Sequence, residues 1–506
     1  MGLSATCWPD AILGDVPLLY PFVVNDPGEG TQAKRRAHAV VIDHLLPPMT
    51  RADTYDEMAQ LEQLFDEYAQ LQSLDPSKLP ALRERIWALL TQAAIDRDLG
   101  LDGGYVPSGP SGTLTRGGAH VLPTGRNFFS VDPKAIPSAL AWDVGRVLAE
   151  RLLERHVAET GTWPTTVGLV VWGTANMRTQ GDDIAEILAL LGVRPRWHQH
   201  SGRVEGLEVI PLAELGRPRV DVTVRISGFF RDAFPDVVDL LDDAVGLVAA
   251  LDEPTDQNPI RSTGTDDARV FGPAPGAYGS GIYQAIEGRA WRTRADLAEV
   301  YLAWSGFAYR RGEAGVAAPD QVRRRFAAIE VAVKNQDNRE HDIFDGDDYF
   351  QDHGGMVAAT EALAGRAPRA WFGDSADPSR PQVRSLAEEA ARVVRTRVIN
   401  PKWLAAMRNH GYKGAFEVAA TVDYLFGYDA TAGVVEDWMY ERVTDAYVTD
   451  PEMRSFYETS NPWALRSICE RLVEAADRGM WDATDEARAH LRDGLLAAEG
   501  MEERRT

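Results

Sequence analysis

The stretch TTVGLVVWGTANMRTQGDDIAEILALLGVRPRW, beginning at Thr165, constrains the fold of this chain more than any other. A short apolar run of β type ends at a glycine-containing turn. An amphipathic helical period then sets in from about Asp182 and stops at Gly192. Strand, turn and helix in that order make a βα unit, and such units build parallel sheets with helices packed on their faces. Two further β-rich stretches follow, RVEGLEVIPLAEL and RVDVTVRISGFF, so the middle of the chain reads as a small α/β layer with parallel strands. Ligands in such layers gather at the carboxyl ends of the strands.

Helical periodicity dominates elsewhere. YDEMAQLEQLFDEYAQLQSL sets Met58, Leu61, Leu64, Phe65, Tyr68 and Leu71 at three- and four-residue intervals. The segment from Pro235 to Glu253 is predicted helical. After Trp291 nearly everything is, including RADLAEVYLAWSGFAY, QVRRRFAAIEVAVKN, SLAEEAARVVRTRVIN and FEVAATVDYLFGY. Two Gly/Pro-rich passages, 103–137 and the one ending GPAPGAYGSG, break the pattern, and irregular stretches of that length are often functional. The predicted fold is therefore mixed α/β and multidomain, with helical domains around a small parallel α/β layer and a mainly α C-terminal part. Its expected divisions are a mainly helical segment at 1–103, an α/β domain with a long Gly/Pro-rich loop at 104–234, and a mainly helical domain at 235–506 carrying an acidic loop at 335–356.

Composition removes several function classes. A net charge of −23 argues against a nucleic-acid partner, because phosphate binding needs basic patches that release counterions. The one basic cluster, Lys34-Arg35-Arg36 with His38, has the pattern of a solvated face. No apolar run approaches the roughly 18 residues needed to cross a bilayer, and the first residues lack a secretory pattern, so no membrane partner and a cytoplasmic location are expected. Cys7 and Cys469 are the only cysteines, which leaves nitrogen and oxygen as donors to any metal. There is no Walker A loop, so ATP hydrolysis by this chain is not expected; the Gly279-Ser280-Gly281 run lacks the third glycine of a dinucleotide fingerprint.

The densest polar constellation is NQDNREHDIFDGDDYFQDHGGM, 335–356, which gathers Asp337, Glu340, His341, Asp342, Asp345, Asp347, Asp348, Asp352 and His353. Oxygen and imidazole donors of this kind suit a hard or borderline divalent ion, and carboxylates can also accept protons. It is not an EF-hand, since a glycine at Gly346 would put His341 and Ile343 where loop carboxylates belong. A solvated acidic loop with helix caps accounts for the composition equally well. The turn Trp172-Gly173-Thr174-Ala175-Asn176-Met177-Arg178 stands where a parallel strand ends; it is either a plain connection or a ligand contact, with Arg178 able to fork onto a carboxylate. Phe229, Phe230 and Phe234 around Arg231 could stack on a flat ring, although core is the commoner fate of aromatics.

Several stretches taken together carry a resemblance. They are Cys7-Trp8-Pro9-Asp10 with YPFVVNDPGEGTQAKRRAHAVVIDHLLPPMTRADTY, LPTGRNFFSVDPKAIPS, VVWGTANMRTQGDDIAEILALLGVRPRW, IPLAELGRPRVDVTVRISGFFRDAFPD, NQDNREHDIFDGDDYFQ and NPKWLAAMRNHGYKGAFEVAATVDYLFGYDATAG. They resemble the large-subunit family of cobaltochelatase and magnesium chelatase over almost the whole chain. NREHDIFDGDDYFQ and FGPAPGAYGSGI are similar to the cobalt branch, CobN.

The resemblance implies a scaffold that encloses a tetrapyrrole and a metal while AAA+ partner subunits of the CobS and CobT type hydrolyse ATP. The expected substrates are cobalt (Co²⁺) and a corrinoid, hydrogenobyrinic acid a,c-diamide. Candidate ring contacts are Arg126, Asn127, Trp172, Asn176, Arg178 and Arg231. Asp337, Glu340 and His341 are the candidates for proton and metal transfer, with Glu340, His341, Asp345 and Asp347 as metal donors. The family's His-Gly-Thr-x-Glu-Trp-Leu-Pro-Gly motif is absent here and its members are more than twice this long, so the chain is expected to be a piece of a longer protein or one half of a split subunit, inactive alone. Magnesium with protoporphyrin, or a silent tetrapyrrole-binding fragment, are the competing expectations.

Overall fold

The computed structural model describes residues 131–199, 201–339 and 341–504, together with the backbone of two strands, β1 (Leu18–Phe22) and β2 (Ala39–Asp43). The helical pattern of 55–74, the basic cluster, most of the first Gly/Pro-rich passage, Arg126, Asn127, His200 and Glu340 lie outside the described residues. The chain divides into two compact units, one of 1–141, 174–182 and 197–205, the other of 142–173, 183–196 and 206–506.

In the first unit β1 and β2 pair in parallel, from Leu18 opposite Ala39 to Phe22 opposite Asp43. Asp132 caps the single turn Pro133–Ala135 by accepting from the Lys134 N–H at 3.0 Å, and Arg203 Nε holds the same carboxylate at 2.6 Å. The Trp197 indole donates to the Pro137 carbonyl at 2.8 Å.

The remaining strands are β3 (Thr166–Val171), β4 (Val193–Trp197), β5 (Val204–Val209), β6 (Asp221–Ile226), β7 (Val270–Gly272), β8 (Phe307–Arg310), β9 (Glu313–Ala317), β10 (Val331–Gln336), β11 (Arg369–Asp374) and β12 (Gln382–Ser385). Eight of them form one sheet in the order β12-β11-β10-β3-β6-β7-β8-β9. From β11 to β7 all neighbours run parallel; β12 closes one edge antiparallel, and β8 and β9 close the other. The sheet is thus larger than the small layer expected. The RVEGLEV stretch does not join it, because β5 pairs with β4 in a separate two-stranded sheet.

Five of the eight strands lie beyond Trp291, in territory predicted almost wholly helical. The reason is physical. β3, β6 and β10 are buried at every position, as central parallel strands covered on both faces must be. A strand buried on both sides has no polar alternation, so VAVKN blends into the apolar helix period before it. Helices do dominate the end of the chain: Gly411–Ala432, Pro462–Asp477 and Asp485–Glu503 enclose Tyr428, Tyr440, Tyr447, Tyr457 and Trp481, all fully buried. Tyr440 stacks on Trp481 at 5.5 Å and its hydroxyl donates a hydrogen bond to Asp429 at 2.9 Å.

Charge is handled inside the sheet by pairing. Asp221, at the start of β6, accepts from Arg269 at 3.1 Å and from Arg325 at 2.8 Å. Burial pushes this carboxyl up, but the two guanidiniums outweigh it and hold the group below the usual carboxylate range.

The strand order also places a crevice. From β3 the chain moves to β6 and β7 on one side, then returns through β10 and β11 on the other. Loops leaving the carboxyl ends of β3 and β10 therefore run in opposite directions, and the gap between them is where ligands of such sheets bind.

Candidate functional site

Trp172, the first residue after β3, stands at that gap. Its indole is gripped from three sides. Lys334, buried near the end of β10, sets its ammonium 4.3 Å from the ring centroid and donates to the Asn335 carbonyl. Tyr349 meets the ring edge-on at 4.7 Å. The indole N–H donates to Asp352 Oδ2 at 2.8 Å. The other oxygen of Asp352 pairs with Arg225, in β6, at 3.1 Å. Arg225 is itself fully buried and also donates to Ser305 Oγ at 3.1 Å, to the Gly279 carbonyl at 3.0 Å and to the Ile226 carbonyl. The Tyr301 hydroxyl donates to the Asp352 carbonyl at 3.0 Å. Asp352 therefore ties together the ends of β3 and β6, the β7–β8 connection and the acidic segment.

Glycine makes the approach feasible. A Cβ on Gly173 would lie 2.6 Å from Phe229 and 2.8 Å from the Phe230 backbone nitrogen. Ser227 Oγ accepts from the Gly173 N–H at 3.3 Å and caps the helix Gly228–Ala233 through the Phe230 N–H at 3.1 Å.

The acidic segment after β10 divides by environment. Asp342 takes a two-pronged contact from Arg397 at 2.6 and 2.9 Å, and Asp345 approaches the same guanidinium at 3.1 Å. His341 meets the Tyr349 hydroxyl through Nδ1 at 3.1 Å and the Asn338 amide through Nε2 at 3.4 Å. Asp345 and Asp348 are open to water, yet burial among surrounding protein, and then neighbouring carboxylates, raise them to about 6 and about 7. Both groups are thus exposed and yet crowded by protein. Asp347 is raised for the same reasons, burial first. Carboxyls titrating near neutrality can take up and release protons in that range. Below them His353 is sealed from solvent; its Nε2 donates to the Ala332 carbonyl at 3.1 Å, and burial lowers it to about 4, so the ring is neutral.

The residues singled out in the sequence fall into distinct places. Trp172, Asp337, His341, Asp345 and Asp347 all belong to the unit that holds the large sheet. Among the described residues, no three of the His, Cys, Asp and Glu side chains come together as a cation cage, so His341, Asp345 and Asp347 are not gathered into one ligand set. Arg397 is the physical reason for part of this, since it occupies Asp345. Asn176 and Arg178 lie on the helix Gly173–Thr179, in residues assigned to the first unit; Asn176 is fully buried and neither end of its amide finds a hydrogen-bond partner. Arg231 donates to Asp232 at 2.7 and 2.9 Å and to the Ala274 and Ala277 carbonyls at 2.6 and 2.9 Å. It braces the GPAPGAYGSG loop, and contact with a substrate would require exchanging one of these bonds. Phe230 and Phe234 are core, 5.2 Å apart and fully buried.

Four further residues are not singled out individually by the sequence: Lys334 and Arg225, and Asp352 and Asp348, which figure in it only as members of the acidic constellation. Two carried a signal. A cation inside each of the apolar strands DVTVRI and VAVKNQ has no place in a core unless it meets a partner at the rim. Nothing separates Asp348 and Asp352 from the other carboxylates of the segment until the fold sets Asp352 against Arg225 and Trp172 and leaves Asp348 beside Asp352 and Asp347.

Comparison with known proteins agrees with this architecture. The family model CobN/Magnesium Chelatase matches residues 1–100 and 99–488. The aerobic cobaltochelatase subunit CobN of Pseudomonas aeruginosa is 39% identical, covering 99% of this chain and 55% of its own length; that of Sinorhizobium sp is 36% identical, covering 95% and 53%. A magnesium-chelatase subunit from Rhodobacter capsulatus is 33% identical, covering 99% and 48%. The solved catalytic subunit of cobaltochelatase from Mycobacterium tuberculosis superposes with a TM-score of 0.82 at 46% identity, over 99% of this chain and 56% of that one. The chain spans about half the length of the curated relatives it matches. With the sheet, its switch point and these matches in agreement, the chain belongs to the CobN/magnesium chelatase family.

Proposed function

We propose that this chain forms the metal-insertion part of a cobaltochelatase large subunit, acting on a corrinoid of the hydrogenobyrinic acid a,c-diamide type with Co²⁺ as the second substrate. The observation that carries the reading is the cluster at the β3–β10 switch point, where the Trp172 ring meets Tyr349 of the same segment that holds exposed carboxyls raised to about 6 and about 7. Insertion must remove protons from ring nitrogens as the metal sheds water, and a base works best when its pKa lies near the ambient pH. Asp348 and Asp345 fit that task, and Asp337, Glu340 and His341 are assigned to metal delivery, with Asp345 and Asp347 as further oxygen donors. Arg126, Asn127, Asn176, Arg178 and Arg231 are assigned to the carboxylate and amide periphery of the ring, and Trp172 to its face. Identities of 46% and 39% to cobalt enzymes against 33% and 35% to magnesium enzymes favour the corrinoid over protoporphyrin. ATP would be hydrolysed by AAA+ partners of the CobS and CobT type.

The test is titration of hydrogenobyrinic acid a,c-diamide and, in parallel, protoporphyrin into the chain, alone and with the upstream half of a relative, followed by ring absorbance and then by metal uptake with the ATPase partners present. Selective corrinoid binding is expected. In the assembled enzyme Asp348→Asn is expected to slow insertion by about 10²-fold while leaving ring affinity within a few-fold. Preference for protoporphyrin, or no ring binding in either setting, would overturn the reading.

A further inference from the structure

We propose a second binding site, at the opposite end of the large sheet from the switch point, that takes a small flat aromatic carboxylate. A cavity of about 460 Å³ opens there beside the helix Ala139–Thr160. Trp163 precedes β3 and Arg217 precedes β6, so both stand at amino ends of strands whose carboxyl ends reach the switch point. Six residues of strand separate the two ends by about 20 Å. The volume lies within the usual range for small-molecule pockets, which are mostly apolar with a few placed polar groups.

The walls are two indoles, Trp142 and Trp163, with Leu153, Ile210 and Leu215. Trp163 is 39% exposed, a large apolar surface left at the mouth. Charge in the lining is cancelled with one exception. Glu150 pairs with Arg146 at 2.5 Å, Glu154 with Arg151 at 2.8 Å, and Glu214 with Arg194 at 3.0 Å; Arg194 also approaches Glu208 at 3.4 Å. Arg217 has no carboxylate at ion-pair distance among the described residues. Its three hydrogen bonds go to main-chain oxygens, those of Ala189, Leu190 and Pro218. A guanidinium carries five N–H donors, so two remain to fork onto an anion. Burial, then the neighbouring Arg219, lowers Arg217 to about 10, and it stays a cation at neutral pH.

Part of the Arg217 charge faces the carboxyl end of the helix Asp182–Leu191, through Ala189 and Leu190. That contact explains why an arginine stands here, but not why the same residue lines an indole-walled cavity with two donors unused. A planar ring between the indoles with a carboxylate on Arg217 uses both features.

The experiment is calorimetric titration of the full chain with indole-3-acetate and with the neutral indole-3-acetamide. The acid is expected to bind at least about 10-fold tighter than the amide, as a charge-assisted bidentate contact requires. Arg217→Met is expected to abolish that preference while leaving amide binding in place. Trp163→Ala, at an exposed position, keeps the fold and is expected to weaken both ligands by the same factor. Equal affinity for acid and amide, binding of neither, a preference that survives Arg217→Met, or affinities unmoved by Trp163→Ala would each overturn the proposal. None of these outcomes bears on ring binding at the switch point.

Discussion

Removing Asp352 should damage the fold and the switch-point cluster together, and the structure sets the scale. The carboxylate is buried, receives Arg225 at 3.1 Å and the Trp172 N–H at 2.8 Å, and faces no other cation at ion-pair distance among the described residues. Deleting one partner of a buried pair costs about 3–5 kcal/mol, because the other charge is stranded. Arg225 would keep Ser305 Oγ and two carbonyls, which places Asp352→Ala near the lower end, about 3–4 kcal/mol. Arg225→Met strands a carboxylate that can protonate and keeps its indole donor, so about 2–3 kcal/mol is expected. With both charges gone, the double variant should be more stable than the sum of the two losses allows, by about 2 kcal/mol or more. Urea unfolding read through amide hydrogen exchange in β3 and β6 measures the three losses. Additivity within about 0.5 kcal/mol would refute the claim that these residues act as one unit.

Other expectations rest on single groups. His353 titrates near 4 when folded and near 6.5 when unfolded, so the unfolded chain binds more protons between those values; stability should fall by up to about 3 kcal/mol as pH drops from 6.5 to 4, and His353→Gln should flatten that slope in acid titrations of unfolding. Asp348 has the opposite sign. The folded state holds its proton up to about pH 7, so stability falls as pH rises from 4 to 7, and Asp348→Asn should gain about 1 kcal/mol at pH 8, a figure discounted for its contact with water. Asp221→Asn leaves Arg269 and Arg325 without their shared anion and should cost about 3–5 kcal/mol in urea titrations. Gly173→Ala must displace the Phe230 backbone, costing about 1–3 kcal/mol; in the thermal melt it should lower the midpoint, and an unchanged midpoint would count against the close approach.

What the sequence discloses follows from how each element is buried. The βα unit from Thr165 is legible because a fully apolar strand is followed at once by a helix with one polar side, and the glycines that end each piece are at the positions where the chain turns, Gly192 with a left-handed φ of 75°. β10 is not legible, for the converse reason: only Ala328, Ile329 and Glu330 lie between the helix Pro319–Ala327 and VAVKNQ, with no glycine or proline to mark the boundary, and a strand covered on both faces shows no polar alternation. β8, β9 and β12, of four or five residues each, lie at or next to the sheet edges and are too short for a period to be recognised.

The acidic segment stands out by composition, but composition treats its carboxylates as equals. Their chemistry is set by partners distant in sequence. Arg397 neutralises Asp342 and reaches Asp345, Arg225 pairs with Asp352, and Asp348 faces two carboxylates with no hydrogen-bonded cation of its own among the described residues. The same residue type is thereby a structural anchor at 342 and 352 and a near-neutral acid at 348. The distinction depends on which strand lies beside which, and in this sheet it arises because β10 returns to the flank of β3 that β6 leaves free. A family match transfers the segment as a whole. Only the pairing across the switch point separates the carboxylates that brace the strand ends from those left exposed to exchange protons.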